Sequence, residues 1–342
     1  MNFRSDNVTG AAPEILAALM AANDGAAASY GADAITARLK QRFGALFERE
    51  VAVFPVATGT AANALAIAAV TPPWGVVYCH GESHIQVDEC GAPEFFTGGA
   101  KLMPLDGKDG KITPAAVEAV LVEPGIVHSP QPACISISQV TEAGAVYRPD
   151  EIAALGALAK RRGLALHMDG ARFANALVAL NASPADLTWR AGVDVLSFGA
   201  TKNGALAAEA IIVFDPARAS DLAFRRKRAG HLFSKMRFLS VQLEAYLEDG
   251  LWLRNARHAN RMAARLAEGL AATPGAKLIH PVEANEIFIA LPEQVIAALE
   301  AGGVGFYRWG GPGEGSLRLV TAFNTRAEDV DATVAIARRT TR

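Results

Sequence analysis

The sequence predicts an α/β protein in which a large domain with a mostly parallel sheet precedes a smaller C-terminal α+β domain. Short β-rich runs alternate with helical patterns through the first two thirds of the chain. Most of these runs are apolar throughout, as expected of parallel strands that are covered on both faces. From about residue 221 the pattern changes to long helical segments rich in Arg, Leu and Ala, followed by a few short strands.

The predicted strands of the large domain all have a β-rich, largely apolar composition. They are 51–58, 75–80, 133–138, 164–169, 193–199 and 209–215. Helical patterns connect them, and a clear example runs from Pro149 to Arg162 and is followed by Gly163, a typical residue after a helix end. Such an alternation favours an open sheet whose ligands bind at the carboxyl ends of the strands.

The small domain has its own strand signals. We predict strands at 286–291 and 316–323 and a helix at the end of the chain. We place the domain boundary between residues 245 and 246, so that residues 1–245 form the large domain and residues 246–342 form the small one.

Composition and charge favour a globular protein that binds a small molecule. Hydrophobic residues make up 51% of the 342 residues and charged residues 20%, which argues against disorder. The formal net charge of -2 argues against a nucleic-acid or anionic-membrane partner. The longest apolar stretch, 61–70, is too short to span a bilayer, and residues 1–10 lack the apolar core of a signal peptide. Three scattered cysteines without metal-ligand spacing predict a cytoplasmic protein with reduced thiols and no bound metal.

The first candidate site is the segment TGTAAN (58–63), which lies between a strand and an Ala-rich helix. Thr58, Gly59 and Thr60 at such a junction would offer free backbone N–H groups and the positive end of the helix dipole to a phosphate. A polar turn with Thr60 as the N-cap is the alternative. The chain has no P-loop sequence, and GGPGEGS (310–316), which lacks its lysine, is predicted to be a loop.

The second candidate site is HMDGAR (167–172), at the end of a very apolar strand. A carboxylate in this environment, Asp169, is costly unless it meets a proton or a cation. One interpretation is that Asp169 pairs with Arg172. The other is that Asp169 accepts a hydrogen bond from the protonated ring nitrogen of a cofactor, which leaves Arg172 free to bind a substrate carboxylate.

The third candidate site is SFGATKNG (197–204), where Lys202 directly follows a buried strand among small residues. A lysine in a dry environment tends to lose its proton and act as a nucleophile, as Schiff-base lysines do, although a structural pair with a carboxylate is the alternative. A phosphate site, a carboxylate for a ring nitrogen and such a lysine, all at strand ends, are what pyridoxal 5′-phosphate requires. The 33 residues between Asp169 and Lys202 leave room for one crossover.

These motifs resemble the low-specificity L-threonine aldolases, within the aspartate-aminotransferase-like group of pyridoxal-phosphate enzymes (fold type I). The similar segments are FRSDNVT (3–9), SYGADAIT (29–36), FPVATGTAAN (54–63), ESHI (82–85), LHMDGAR (166–172) and SFGATKNG (197–204), with a weaker match at RLVTAFNT (318–325). The resemblance implies a fold-type-I large domain and a lyase that cleaves a carbon–carbon bond.

The resemblance also implies a role for each matching residue. His84 would stack on the pyridine ring, and His128 would be a second active-site histidine. The implied catalytic residues are Lys202, His84, His128 and Asp169. The implied cofactor-binding residues are Thr58, Gly59, Thr60, His84, Asp169, Arg172, Thr201, Lys202 and Arg237. The implied ligands of the substrate carboxylate are Ser5, Arg172 and Arg318.

Family members use a basic residue from a neighbouring subunit near the phosphate. Arg237 in SKMRF is the best match in this chain, and Lys235 is its rival. The resemblance therefore implies a homodimer or homotetramer with active sites at the dimer interface.

The implied reaction is retro-aldol cleavage of an L-β-hydroxy-α-amino acid, such as threonine, allo-threonine or phenylserine, to glycine and an aldehyde. The base at the β-hydroxyl would be His84, His128 or a water molecule that they hold. The alternatives are β-elimination or transamination on the same fold, and a non-catalytic cofactor-binding protein. A dinucleotide dehydrogenase is disfavoured because no G-x-G-x-x-G follows a strand.

Two segments depart from the family pattern. Many members have an E-N-T-type strand end where this chain has SISQVTEAG (136–144), and a Gly-rich stretch before Met-Arg where it has HLFSK (231–235). In these segments the chain is more similar to a phenylserine-aldolase-type branch, which leaves the substrate side chain open.

Overall fold

The computed structural model describes residues 1–310 and 315–340, and its main feature is a seven-stranded sheet. The strands are β1 (Ala52–Val56), β2 (Gly75–His80), β3 (Lys101–Leu105), β4 (Gln131–Ser138), β5 (Ala165–Gly170), β6 (Val195–Gly199) and β7 (Glu209–Val213). They lie in the order β1-β7-β6-β5-β4-β2-β3. Only β7 is reversed, because it pairs antiparallel with both β1 and β6. The predicted mostly parallel sheet is confirmed.

All six predicted strands of this sheet are present, each within two residues of its predicted ends. The seventh, β3, was not predicted. It lies at the edge of the sheet, where Lys101 and Pro104 are exposed, so it has no continuous apolar run. Edge strands tolerate such residues because one side of their backbone needs no partner strand.

Helices connect the strands of the large sheet and continue through the C-terminal part of the chain. They are α1 (Pro13–Ala21), α2 (Ala34–Phe47), α3 (Gly59–Val70), α4 (His84–Val87), α5 (Ala92–Thr97), α6 (Pro114–Glu118), α7 (Pro149–Arg162), α8 (Phe173–Leu180), α9 (Leu222–Arg228), α10 (Arg237–Leu247), α11 (Leu251–Ala271), α12 (Glu293–Ala301) and α13 (Ala327–Thr340). Helix α7 has its predicted ends, and Gly163 after it adopts φ 69°, a left-handed conformation that glycine reaches without strain.

A second, antiparallel sheet lies in the C-terminal part of the chain. Its strands are β8 (Lys277–Leu278), β9 (Glu286–Ala290), β10 (Tyr307–Trp309) and β11 (Ser316–Val320), in the order β10-β11-β9-β8. The predicted strands at 286–291 and 316–323 correspond to β9 and β11. The predicted loop at 310–316 contains residues 311–314, which lie outside the described residues.

The two sheets have separate apolar cores, and two segments link them. Helix α11 contributes Leu251 and Trp252 to the core of the large sheet, and Leu266 and Leu270 to that of the small one. Phe3, near the start of the chain, is buried in the small-sheet core, whereas Ala12 and Ile15 belong to the core of the large sheet. The boundary at residues 245 and 246 stays a prediction.

The direction of the strands places several predicted site residues at one edge of the large sheet. Strands β1, β4, β5 and β6 all end at this edge. Helix α3 begins there directly after β1, with Thr58 rather than Thr60 as its N-cap: the Thr58 hydroxyl accepts a hydrogen bond from the Ala61 N–H at 3.1 Å.

Candidate active site

A cavity of about 300 Å³ opens at the carboxyl ends of the parallel strands. Eight of the predicted site residues line it, namely Thr58, Gly59, Thr60, His84, Asp169, Arg172, Thr201 and Lys202. They come from four predicted motifs, 58–63, 82–85, 167–172 and 197–204, which are well separated in the sequence. The edge of the sheet therefore assembles one site from these motifs, as the α/β architecture predicts.

The start of helix α3 forms one end of the cavity. The Thr58 side chain caps the Ala61 N–H, whereas the N–H groups of Gly59 and Thr60 have no hydrogen-bond partner among the described residues. A Cβ atom added at Gly59 would meet no atom within 4 Å, so the space in front of the helix is open. Unpaired N–H groups and the helix dipole together favour an anionic ligand such as a phosphate.

Asp169 lies in the wall of the cavity and is only 6% exposed. Its Oδ2 accepts a hydrogen bond from the Asn63 side-chain amide (2.7 Å), and its Oδ1 accepts one from the Ala171 N–H (2.9 Å). The interpretation that Asp169 pairs with Arg172 is therefore wrong. The Asp169 carboxyl group is held by two neutral donors and makes no ion pair among the described residues.

Beneath Asp169, strand β5 carries a second buried polar residue, His167. Its Nδ1 lies 2.9 Å from Ser136 Oγ and its Nε2 lies 3.0 Å from Ser197 Oγ, so the ring spans three strands. Burial lowers the pKa of His167 to about 4, which keeps the ring neutral. The neutral ring links β5 to its two neighbouring strands without placing a positive charge beneath Asp169.

Hydrogen bonds through Asn63 and Glu89 link His84 to Asp169. Neither of these two residues was among the predicted site residues. His84 Nδ1 lies 2.8 Å from Glu89 Oε1, and the Asn63 amide donates to that oxygen at 2.8 Å as well as to Asp169. The hydrogen bond with Glu89 raises the pKa of His84, and burial raises that of Glu89. The one sequence signal was Asn63 itself, a polar residue in an otherwise apolar helix.

Lys202 lies in the short helical turn Thr201–Asn203 that follows β6. No ion pair or hydrogen bond joins its side chain to a carboxylate within residues 1–310 and 315–340, so the alternative of a structural lysine pair is wrong. The nearby carboxyl of Glu209 accepts a hydrogen bond from the Ala200 N–H at 2.8 Å, and burial raises its pKa to about 7. Lys202 therefore lines the cavity without a direct carboxylate contact, although its charge lowers the pKa of Asp6 and opposes the rise in that of Glu209.

Arg172 belongs to a buried group of charged side chains that we call the arginine cluster: Asp6, Arg172, Glu286 and Arg318. Arg172 donates to the Asp6 carboxylate through Nε (2.8 Å) and Nη2 (3.0 Å), and its Nη1 makes an ion pair with Glu286 at 3.1 Å. Arg318 Nη2 donates to the other oxygen of Glu286 at 2.5 Å. Asp6 and Glu286 engage all three nitrogens of Arg172, so its binding of a substrate carboxylate stays a prediction.

Comparison with known proteins identifies the family. The β-eliminating lyase family model matches residues 2–294. The chain belongs to this family.

Three family relatives are similar over nearly the whole chain. A low specificity L-threonine aldolase of Pseudomonas aeruginosa is 48% identical, covering 96% of this chain and 94% of that protein. One from a Pseudomonas species is 46% identical and covers 94% and 93%. The solved structure of Leishmania major threonine aldolase has a TM-score of 0.94 at 31% identity, covering 100% of this chain and 99% of that one. These similarities confirm the predicted family, the fold class and a pyridoxal-phosphate-dependent lyase.

The cavity fits the cofactor of this lyase family. The open start of α3 suits its phosphate, the Asp169 carboxylate without a cationic partner suits its ring nitrogen, and the unpaired Lys202 suits its aldehyde carbon. His84 lines the same cavity and could cover the ring. The individual roles of these residues stay predictions.

Four predicted site residues do not line the cavity. His128 is exposed in the loop between α6 and β4, and Arg237 begins α10 and donates to the Gly25 carbonyl at 3.1 Å. Ser5 caps the turn Asp6–Val8 by accepting a hydrogen bond from the Asn7 N–H at 3.1 Å, and Arg318 pairs with Glu286, which also pairs with the cavity residue Arg172. For these residues to act in the site, their segments must move, the substrate must reach them, or a second subunit must bring them to the cavity.

No helix in the described part of the chain is long and apolar enough to cross a membrane. No group of three or more His, Cys, Asp or Glu side chains there is arranged to hold a metal ion.

Proposed function

We propose that this protein is a pyridoxal-phosphate-dependent aldolase that cleaves L-β-hydroxy-α-amino acids to glycine and an aldehyde. The observation that carries the proposal is the meeting of Asp169, His84 and Lys202 in one cavity in front of helix α3. The relatives named low specificity L-threonine aldolase support it, because they match this chain from end to end. The substrate class comprises threonine, allo-threonine and phenylserine.

The residues of the cavity divide the work of this reaction. When bound, the cofactor supplies the sink for the electron pair of the broken Cα–Cβ bond. The N–H groups at the start of α3 would bind its phosphate, and Asp169 would hold a proton on its ring nitrogen, an electrostatic contribution that is in place before the reaction starts. Lys202 would hold the cofactor through its side-chain amine. His84 orients the ring.

The substrate carboxylate is bound on the other side of the cavity. Arg172 and Arg318 carry the guanidinium groups that can hold a carboxylate through paired hydrogen bonds, and Ser5 adds a hydroxyl. Glu286 contacts both arginines, so it keeps the two groups close together before substrate arrives. Binding of the substrate carboxylate then requires the arginines to share their donors with it.

We further propose that the active protein is a cytoplasmic homodimer or homotetramer. Arg237 and Lys235 do not line the cavity of their own protomer, so contact with the phosphate would need a second subunit. His128, which is exposed on a loop, would equally need to move to reach a substrate. Light scattering at the assay concentration tests the assembly, and a fully active monomer contradicts it.

A product assay tests the proposed activity. The purified protein is supplied with pyridoxal phosphate and incubated in parallel with threonine, allo-threonine and phenylserine, with Lys202→Ala as the control. We expect glycine and the matching aldehyde in equal amounts, and none from the variant. A keto acid with ammonia would indicate β-elimination, and a keto acid that forms only with an amino acceptor would indicate transamination. Cofactor binding without any turnover would indicate a non-catalytic protein.

A further inference from the structure

The segment SISQVTEAG (136–144), which departs from the family pattern, brings an unassigned carboxyl group to the active site. Strand β4 ends at Ser138, and the chain then turns so that Glu142 lines the cavity beside His84. None of the roles derived above uses this residue.

The two oxygens of Glu142 have different surroundings. Oε1 accepts hydrogen bonds from the His84 backbone N–H (2.9 Å) and from the Ser138 hydroxyl (2.7 Å). Oε2 is shielded from solvent and has no hydrogen-bond partner among the described residues. An unpaired buried oxygen costs free energy, so a native protein that keeps one usually has a use for it. The fixed oxygen orients the group, and the other is ready for a donor that arrives with the substrate.

The environment of Glu142 suits it to proton transfer near neutral pH. Burial raises its pKa to about 7, and the nearby Asp169 carboxylate adds to the rise, whereas the hydrogen bonds to Ser138 and His84 oppose it. The titratable and charged groups that face it from the surrounding elements are Asp169 of β5, Arg172 before α8, His84 of α4, Cys79 of β2 and Tyr147 after β4. A general base is most effective when its pKa lies near the working pH.

His84 is less suited to accept a proton. Its Nδ1 is engaged by Glu89, and this hydrogen bond raises the pKa of the ring. When two neighbouring titratable groups have different environments, one of them commonly acts as the acid and the other as the base.

We propose that Glu142 is the catalytic base that removes the proton from the substrate β-hydroxyl through its Oε2 atom. The inference rests on the proposed aldolase function. As the proton moves to Oε2, the O–H electron pair becomes the second C–O bond of the aldehyde. The Cα–Cβ bond breaks, its electron pair stays with the glycine half, and a proton then adds to Cα. Atoms and charge balance without any further reactant.

The test compares two reactions of the holoenzyme. Cleavage of phenylserine to benzaldehyde needs a base at the β-hydroxyl, whereas exchange of the glycine α-proton with deuterated water does not. In Glu142→Gln the amide oxygen can still accept the His84 and Ser138 hydrogen bonds, but the group cannot take up a proton. We expect kcat/KM for phenylserine to fall by about 10²- to 10⁴-fold, while glycine exchange stays within about 3-fold of the parent.

Two further variants sharpen the test. Because the Ser138 hydrogen bond lowers the pKa of Glu142, Ser138→Ala should move the acid limb of the kcat/KM profile for phenylserine to higher pH. Glu118→Gln, which changes an exposed glutamate that does not line the cavity, should leave both reactions and the profile unchanged.

Three outcomes would overturn the proposal. Equal losses of cleavage and exchange in Glu142→Gln would make Glu142 a residue that positions His84 or the cofactor. A loss of cleavage below about 3-fold would remove it from catalysis. If the parent protein exchanges the glycine proton but releases no aldehyde, the aldolase function itself fails, and this assignment fails with it.

Discussion

The charged side chains on the two sides of the cavity are stabilised by different kinds of interaction. On the cofactor side, Asn63, His84, Glu89 and Asp169 form what we call the cofactor-side network, in which carboxylates and one histidine share hydrogen bonds. On the substrate side, the arginine cluster pairs two arginines with the carboxylates of Asp6 and Glu286. The first group is held together mainly by hydrogen bonds around one histidine, and the second by ion pairs between arginines and carboxylates.

The pKa shifts express this difference. Burial raises the pKa of Glu89, and its partner His84 also has a raised pKa because of their shared hydrogen bond. In the arginine cluster, burial alone would raise the pKa of Asp6, but Arg172, Lys202 and Asn285 together outweigh burial and the net pKa is lowered. Hydrogen bonding therefore raises the pKa of His84 on the cofactor side, whereas charge pairing and hydrogen bonds keep the pKa of Asp6 low on the substrate side.

The largest effect on stability should come from breaking the arginine cluster. In Glu286→Gln two arginines lose their shared, fully buried carboxylate, and such a loss commonly costs about 3 kcal/mol or more. We expect the free energy of unfolding to fall by about this amount in denaturant titrations. Glu293→Gln, which removes an exposed partner of Arg308, is the matched control and should leave the transition in place. Equal stability of the two variants would show that the cluster is not a structural unit.

On the cofactor side, Asp169→Asn should reduce catalysis rather than stability. The neutral amide cannot hold a proton on the ring nitrogen, and electrostatic losses of this kind reach about 10²-fold or more in kcat, on the order of 3 kcal/mol in the barrier. Visible absorbance should show that the cofactor still binds. Near-normal turnover with bound cofactor would mean that Asp169 does not act on the ring.

Sequence patterns could identify residues whose chemistry follows from their local context. Asp169 and Lys202 follow buried strands, and Gly59 lies at a strand–helix junction, so each is recognisable from its neighbours. Glu286 could not be identified in this way, because its partner Arg172 lies more than a hundred residues away. The same is true of Asp6, which reaches Arg172 because the segment around Phe3 joins the small sheet.

Prediction of the fold was limited in the same way, because local sequence patterns reveal single strands but not long-range contacts. Strands with continuous apolar runs were predicted to within two residues, whereas the edge strand β3, with its exposed Lys101 and Pro104, was missed. The links between the two cores through helix α11 and Phe3 were also missed, since they depend on long-range packing that no local pattern encodes.

A smaller effect should follow from a substitution of Arg318, a proposed ligand of the substrate carboxylate, that leaves the arginine cluster paired. Arg318→Lys keeps the charge beside Glu286 but loses the planar pair of donors that meets a substrate carboxylate. A charged hydrogen bond contributes roughly 1.5–3 kcal/mol, so kcat/KM should fall by about 10- to 150-fold with unchanged cofactor absorbance. Glycine, which has only an amine and a carboxylate, isolates this effect. If the variant binds glycine as tightly as the parent, Arg318 is not a carboxylate ligand.

The smallest effect should be a change in the pH dependence of stability. The folded pKa of Glu142, about 7, lies above its ordinary value of 4.5, so the stability that the group contributes is present below about pH 4.5 and is lost as the pH rises through 7. Glu142→Gln should therefore show a smaller fall in Tm between pH 5 and pH 8 than the parent, by about a few degrees or less. A fall as large as that of the parent, or of Glu118→Gln, would place the pKa of Glu142 in the ordinary range.

The most direct test asks which lysine carries the cofactor, because the chain has nine lysines and only Lys202 lines the described cavity. The protein is reconstituted with pyridoxal phosphate, reduced with borohydride, digested with trypsin and mapped by mass spectrometry. We expect a yellow protein that loses its visible absorbance on reduction, with the adduct on the peptide that contains Lys202. An adduct on another lysine, or a protein that stays colourless after reconstitution, would contradict the assignment of this cavity as the active site.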